Sequence, residues 1–416
     1  MPQSAIRNPQ SAMRIALVAP FGLQPKGTAS ARALPLGQAL AARGHRVRLI
    51  VPPWDDAGAD PAGRRWMAGG VEVVELAAPR LRLPGGALVG WPAALLRAAR
   101  SDRPDVIHVF KPKAYAGLTG LALTLRGTPW VLDTDDWEGR GGWNRVGGYS
   151  AAQRLLFQWQ ETTLPRWAGA ATVASRTLQT QLWGLGVPPG RVHYLPNGVD
   201  HAKYDPWRAA AADPQRRADL RSRYGLPAAA PVLLLWTRFV EFPVRWPLAV
   251  LRALARQWPD LCLLVVGAGF HGEEHDLAAR ASAVGLGTRV IVTGRVEGAD
   301  LGATLTLADM AIYPMRDTLL NRAKCPVKLL DLLALGIPTV AHAVGQVAEY
   351  LDASSGLLVP PGDVSGLAAG VAALLADPAR RAALGHAAAH RAWTVFSWSR
   401  LAATAEVAYA QARRKT

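Results

Sequence analysis

Residues 317–341 read DTLLNRAKCPVKLLDLLALGIPTVA, and they hold the clearest chemical signal in the chain. Lys324, Lys328 and Asp331 surround the start of an apolar helix pattern made by Val327, Leu329, Leu330, Leu332, Leu333 and Leu335. Pro326 suits the first turn, where a missing N–H costs nothing. Gly336 and Pro338 stop the helix. A helix N-terminus offers unpaired N–H groups and positive partial charge to an anion, and the two lysines add full charge there. Lys328 and Asp331 are three apart and share a face. Asp331 could accept hydrogen bonds from a sugar hydroxyl. That set fits a phosphate joined to a sugar. It also fits a core helix with a single i,i+3 ion pair.

A second cluster is Asp133-Thr134-Asp135-Asp136-Trp137-Glu138. Carboxylates this dense repel one another unless a cation or a hydroxyl-rich partner is near. The loop reads as substrate-facing; a solvated turn and a hard-oxygen metal site are the alternatives, the latter without EF-hand spacing. Just upstream, the strand pattern Asp105–Phe110 leads into Lys111-Pro112-Lys113, and both lysines are placed to meet an anion, with simple solvated charge as the alternative. His108 lies inside that run and reads as a core histidine.

Repeated strand and helix signals must position these groups. Arg14–Pro20 is a buried-strand pattern, followed by a loop with Gly27 and Thr28, a helix pattern over Ala29–Arg43 and a strand at Val47–Val51. This is the β-loop-α-β unit of doubly wound folds. In the second half, Pro231–Trp236 ends in Thr237-Arg238-Phe239, Leu261–Val266 ends in Gly267-Ala268-Gly269, and Val290–Thr293 ends in Gly294. Arg238, Gly267, Gly269 and the Lys328 helix then converge on one rim of a parallel sheet. The fold class is α/β, with two doubly wound, Rossmann-like parallel-sheet domains facing across a cleft, a favoured place for ligands. The expected division is a disordered extension over 1–12, a first domain over 13–200, a second over 201–394, and a final helix over about 395–416 that packs back on the first. A boundary at 200 follows from the polar, Arg- and Ala-rich residues after it.

The chain has 416 residues, half of them hydrophobic, and a formal net charge of +16. The basic excess is spread over both halves, which fits acidic ligands or an anionic membrane surface and argues against a nucleic-acid-binding arm. The two cysteines, Cys262 and Cys325, support neither a disulfide framework nor a zinc site and fit a reducing cytosol. No apolar run approaches the ~20 residues of a membrane span. The N-terminus shows a short tandem repeat and no signal-peptide core. The strand-Gly-helix units lack GxGxxG, so a nicotinamide cofactor is not indicated. The expected location is the cytoplasm, with peripheral contact on the inner membrane face left open. Basic charge with Trp54, Trp66 and Trp91 on or near loops suggests a lipid-linked acceptor.

The motifs together resemble the retaining, nucleotide-sugar-dependent glycosyltransferases of family four, which have the GT-B fold. The pieces are Gly27 with Arg43-Gly44-His45-Arg46-Val47; Leu195-Pro196-Asn197-Gly198-Val199-Asp200; Thr237-Arg238-Phe239; Val265-Val266-Gly267-Ala268-Gly269; Asp331–Pro338; Gly345-Gln346-Val347-Ala348-Glu349; and Gly356–Asp363. The resemblance implies a C-terminal domain that holds the donor, a nucleotide-diphosphate sugar, and an N-terminal domain that holds a hydroxyl acceptor. It implies that Arg238 meets the diphosphate, that Asp331 stands where a glutamate binds ribose, and that the Gly27-Thr28 loop approaches the phosphate. Thr237, Gly267, Gly269, Asn321, Lys324, Lys328 and Glu349 complete the implied donor site. No cofactor or metal is implied, because arginine and lysine replace the metal's charge. Where the family has a second loop glycine, this chain has Thr28. Where it has a lysine after the arginine, this chain has Pro243, so Arg245 or Lys328 supplies the charge. The first glutamate of its E-x7-E pattern falls at Ala323, and its role passes to Asp317 or Asn321 or is lost. Asp135 replaces a frequent histidine. In transfer, Arg238, Lys324 and Lys328 would steady the departing diphosphate, while Asp135 or Asp136 would orient or deprotonate the acceptor. The alternative is a nucleotide-sugar-binding protein or hydrolase of the same fold without transfer activity.

Overall fold

The structure, a computed structural model, describes residues 12–23, 27–53, 63–77 and 86–414. The expectations about residues 1–11 and Trp54 lie outside them. The chain divides into two compact units: Met1–Pro196 with Trp398–Thr416, and Asn197–Ser397.

The first unit is built on eight strands: β1 (Arg14–Val18), β2 (Arg46–Val51), β3 (Arg64–Ala68), β4 (Val71–Glu75), β5 (Val106–Phe110), β6 (Trp130–Thr134), β7 (Ala170–Val173) and β8 (Val192–Tyr194). Their order is β3-β4-β2-β1-β5-β6-β7-β8. Every pairing is parallel except β3–β4. Strand order reverses at β1 and β5, so the residues beyond their carboxyl ends line the switch point where α/β sheets bind ligands. These are residues 19–23 and the stretch at Lys111.

β3 has no counterpart in the sequence reading. Two of its five residues are charged and three are exposed, so it lacks the apolar run that marks β1. It forms because Gly69 and Gly70, at φ +57° and +82°, make a two-residue hairpin turn open to few other residues. Arg64 then pairs with Glu75 at 3.1 Å and Arg65 with Glu72 at 3.5 Å, which leaves a charged edge unsuited to further strand pairing.

The final helix, Trp398–Arg413, belongs to this unit. Trp398, Leu401, Ala405, Ala408 and Tyr409 join the core cluster of Ile15, Leu40, Val47 and Phe110. A Cβ at Gly169 would fall 2.8 Å from Ala412 Cα, so glycine permits the close approach of this helix to the start of β7. Glu406 anchors it further, taking Arg43 at 2.6 Å and His45 at 2.9 Å.

The second unit has six strands, all parallel: β9 (Val232–Trp236), β10 (Cys262–Val266), β11 (Val290–Gly294), β12 (Met310–Tyr313), β13 (Thr339–His342) and β14 (Leu357–Val359). The order β11-β10-β9-β12-β13-β14 places the switch point between β9 and β12. The polar residues after position 200, read as a boundary segment, are two helices instead: His201–Ala212 and Pro214–Arg223. Asp200 and Asp213 cap them by accepting the Lys203 and Arg216 N–H groups at 2.9 and 3.2 Å. Their charge hides the buried stripe of Tyr204, Trp207, Ala210 and Leu220.

Each unit is thus an α/β unit on a doubly wound sheet, parallel but for the β3–β4 pairing.

Candidate functional site

In the second unit the site grows from the end of β9. Thr237 donates its N–H to the Val266 carbonyl at 3.0 Å, and its Oγ1 accepts the Phe239 N–H at 2.8 Å. Phe239, at φ +62°, is buried and ends the strand in a tight turn. Arg238 between them stays partly exposed. Gly267 ends β10 at φ +110°, and a Cβ there would stand 2.1 Å from the Thr237 carbonyl oxygen. Only glycine fits where these two strand ends meet. Gly269 donates its N–H to Glu274 Oε2 at 2.8 Å.

Glu241, three residues beyond Arg238, collects the cations. Its Oε1 accepts Lys324 Nζ at 2.7 Å and lies 3.6 Å from Arg238 Nε. Burial pushes the Glu241 carboxyl up, but Lys324 and Arg238 outweigh it and hold the group below the usual range. Asn321 Nδ2 donates to the Glu241 and Arg316 carbonyls at 2.9 Å each. Its amide therefore ties the loop after β9 to the loop after β12. Asp317 pairs with Arg322, through Oδ2 and Nη2 at 2.6 Å. Ala323 is fully buried.

Lys328 is the second residue of the helix Val327–Ala334, in its first turn. Its Nζ sits 4.0 Å from the centroid of the Trp236 ring. Burial lowers its pKa to about 8; Asp331 and Glu241 oppose that shift, while Arg238 and Lys203 add to it. Lys328 and Glu241 also line one small recess with Trp236, Thr237 and Tyr313. The i,i+3 ion pair between Lys328 and Asp331 does not form. Asp331 is buried, and its Oδ1 accepts Tyr204 Oη at 2.5 Å and Lys203 Nζ. These partners come from the helix His201–Ala212, which sequence reasoning passed over. Glu349 is half-buried, and its carbonyl accepts Arg391 Nη2 at 2.9 Å.

In the first unit the acidic loop after β6 wraps its own cations. Lys111 is buried at φ +62°, and its Nζ stands 3.1 Å from Asp135 Oδ1, Asp136 Oδ2 and Glu138 Oε1 alike. Lys113 Nζ donates to Glu138 Oε2 at 2.5 Å and to Tyr149 Oη at 2.8 Å. Both lysines read as anion contacts or as solvated charge; the anions they meet are these carboxylates. Thr28 Oγ1 donates to Asp135 Oδ2 at 3.3 Å. Burial raises the Asp135 pKa to about 6, Lys111 pulls against it, and Asp136 and Asp133 push it further up. Glu161, buried behind Glu138, accepts its N–H at 3.3 Å and is pushed well up by burial.

Asp133 turns the other way. Its carboxylate accepts Arg32 Nε at 2.7 Å, Arg32 Nη2 at 2.6 Å and Thr172 Oγ1 at 2.6 Å, all buried. His108 is a core histidine, bonded to Tyr409 Oη and Thr172 Oγ1 at 3.0 Å each, and burial lowers its pKa to about 4. Among the described residues no group of three or more His, Cys, Asp or Glu side chains is placed to hold a metal ion. Trp91 is buried, which removes it as a surface anchor; Trp66 is half-buried beneath the Arg64 guanidinium, 4.8 Å away.

Sequence reasoning missed Glu241, Arg32, Lys203 and Tyr204. Two had a visible signal. Glu241 is an acid just past the Arg238 turn, and Arg32 is a lone charge in an otherwise apolar helix pattern.

Both halves of the chain match known proteins. The family model for a glycosyl transferase 4-like domain matches residues 27–198, and that for glycosyl transferases group 1 matches residues 230–377. A GDP-mannose-dependent alpha-(1-6)-phosphatidylinositol monomannoside mannosyltransferase of Mycolicibacterium smegmatis is 32% identical over 237 residues, which span 56% of this chain and 59% of that protein. The chain thus matches little more than half the length of that relative. The Mycobacterium tuberculosis protein of the same name is 28% identical over 87% of this chain and 88% of its own length. Among solved structures, sucrose-phosphate synthase from Thermosynechococcus elongatus superposes with a TM-score of 0.71 at 22% identity, covering 97% of this chain and 100% of that one. The catalytic domain of starch synthase IV from Arabidopsis thaliana gives 0.72 at 14% identity, with coverages of 97% and 100%. The chain belongs to the glycosyltransferases, with a glycosyl transferase 4-like domain followed by a group 1 glycosyl transferase domain.

Proposed function

We propose that the protein transfers a hexose from a nucleotide-diphosphate sugar to an acceptor hydroxyl, with retention at the anomeric carbon. The observation that carries this reading is the cation cluster of Arg238, Lys324 and Lys328 at the β9–β12 switch point. As the bond from the anomeric carbon to the diphosphate breaks, negative charge grows on the leaving group. Fixed cations in a partly dry site stabilise that charge, each by roughly 2–4 kcal/mol. Glu241 holds two of them in place through a single oxygen. A new bond to the acceptor oxygen forms as the old one breaks, and the acceptor proton goes to a base. Asp135 is the base we assign, with Asp136 beside it; Lys111 fixes both. Thr28, which with Gly27 is helical rather than part of the expected loop, orients Asp135.

Asp331 Oδ1 is already engaged by Tyr204 and Lys203, so any ribose contact falls to Oδ2. The names of the relatives make GDP-mannose the first donor to test and an inositol lipid the first acceptor. A lipid acceptor is supported by the exposed Leu155, Trp159 and Trp167 of the helix Ala151–Trp167, which would act at an anionic membrane surface without spanning it. Among the described residues no helix is long and apolar enough to cross a membrane.

The second reading is a binding protein or hydrolase of the same fold, favoured by the buried Ala323 where the resemblance implies a glutamate. A radiolabelled GDP-mannose assay with and without phosphatidylinositol acceptor separates the two. Lipid-dependent label transfer supports the proposal. Free mannose released at the same rate with or without acceptor supports the second reading.

A further inference from the structure

The amino ends of β9 and β12 carry a second basic recess. Its volume is about 360 Å³, and it is lined by Arg217, Arg221, Arg381, Trp258, Asp309 and Ala229 among others. Arg217 and Arg221 come from the helix Pro214–Arg223, and Arg381 from the first turn of the helix Pro378–Val395. Asp309 supplies the carboxylate of the lining; its Oδ2 accepts the Val232 N–H at 2.8 Å and its Oδ1 lies 4.0 Å from Arg381 Nη2.

Each guanidinium is held by backbone carbonyls and keeps further N–H groups. Arg217 Nη1 donates to Thr306 O at 2.7 Å, Arg381 Nη1 to Leu374 O at 3.0 Å, and Arg221 Nη2 to Ala230 O at 3.2 Å. A guanidinium has five N–H donors, so these bonds orient the groups without exhausting them. Arg221 Nε and Trp258 Nε1 are buried beside the recess with no acceptor. Three fixed guanidiniums against one committed carboxylate leave a net positive, donor-rich hollow. Its match is a compact, multiply charged oxyanion.

We propose that this recess is a second anion site, for a small phosphate ester or pyrophosphate, distinct from the donor cluster. The two lie at opposite ends of the same strands. β9 is five residues long, so roughly 15 Å of buried strand separates them. The recess is bordered by Ala230 and Pro231 before β9 and by Ala308 before β12, while Trp236 and Tyr313 at the far ends of these strands line the Lys328 recess. Occupancy of the back recess therefore bears on the two strands that shape the donor site.

The test is calorimetric titration of inorganic pyrophosphate into the full-length protein and four variants. Ala229→Glu places a carboxylate in the recess without removing an arginine that anchors a carbonyl. Arg381→Gln removes one guanidinium. Arg238→Ala disables the donor cluster, and Ala229→Glu/Arg238→Ala disables both. Thermal melts in buffer verify that each folds. The expected result is two sites in the wild type, one in Arg238→Ala, one in Ala229→Glu and none in the double variant. Arg381→Gln should weaken the second site about tenfold or more, as loss of a charge-assisted contact does. Wild-type titrations in both Ala229→Glu and Arg381→Gln would overturn the proposal. If Arg238→Ala changed nothing while Ala229→Glu removed all binding, the recess would stand and the donor reading would fall.

Discussion

The Lys328 ammonium sits 4.0 Å from the centroid of the Trp236 ring, at the end of the central strand of its sheet. The ring covers the ammonium and keeps water from one side of it, and the neighbouring Arg238 and Lys203 charges add repulsion. A lysine in that setting gives up its proton more easily than one in water, and an arriving diphosphate would return it.

That arrangement sets a pH dependence. With a folded-state pKa of about 8, Lys328 is charged below that value and neutral above it. Nucleoside diphosphate affinity should therefore fall as pH rises through about 8, and Lys328→Arg, charged throughout, should abolish that limb. The sign for stability is opposite. Between about 8 and the ordinary lysine value of 10.5, the unfolded chain holds a proton that the folded protein has released. This site alone then favours folding more as pH rises through that window. Titrations between pH 6.5 and 9.5 measure the first effect, and urea unfolding over the same range and up to pH 10.5 the second.

Asp135 gives the other limb. Its carboxyl, raised to about 6 by burial against the pull of Lys111, must be ionised to act as a base. kcat/KM should rise with pH through about 6. Lys111→Met removes the lowering charge, so the limb should move to higher pH; Lys111→Arg should move it back. A profile unchanged by Lys111→Met would remove Asp135 from the base role.

Gly267→Ala tests the turn that presents Arg238. At φ +110°, with the Thr237 carbonyl oxygen 2.1 Å from any Cβ, the substitution must displace one strand end. It should cost about 1–3 kcal/mol in urea unfolding, the range for a strained backbone site, and should weaken diphosphate binding as well. Gly285→Ala is a useful control: it also has positive φ, at +75°, but nothing lies near its Cβ. It should cost stability and leave binding alone.

The Arg32–Asp133 pair should be structural. Arg32→Met strands a fully buried carboxylate and should destabilise the first unit by about 3–5 kcal/mol. Arg32→Met/Asp133→Leu should recover much of that loss. If the single variant unfolded like the wild type, Asp133 would have to be neutral in the folded protein.

The chain's sheets were largely legible because buried parallel strands are written as unbroken apolar runs. β9 and β10 have that form, and β5 and β6 depart from it only at His108 and at Asp133-Thr134. β3 was not, since an exposed edge strand has no apolar run to show. The helices after residue 200 were hidden because their buried residues are few among many arginines and alanines. The site was legible as far as residue types at strand ends can show it. Arg238, Lys324 and Lys328 do gather, but the carboxylate that holds the first two, Glu241, follows from a turn geometry that spacing does not encode. The partners of Asp331 were illegible for the same reason: Lys203 and Tyr204 lie more than a hundred residues away in sequence.

The central claim is that Arg238 and Lys328 grip a diphosphate. Calorimetric titration of GDP, UDP and ADP at pH 7 into the wild type, Arg238→Ala and Lys328→Ala tests it most directly. The account predicts binding of at least one nucleotide, weakened roughly 10- to 100-fold in each variant, the effect of losing a charge-assisted contact. Wild-type affinity in both variants would contradict it.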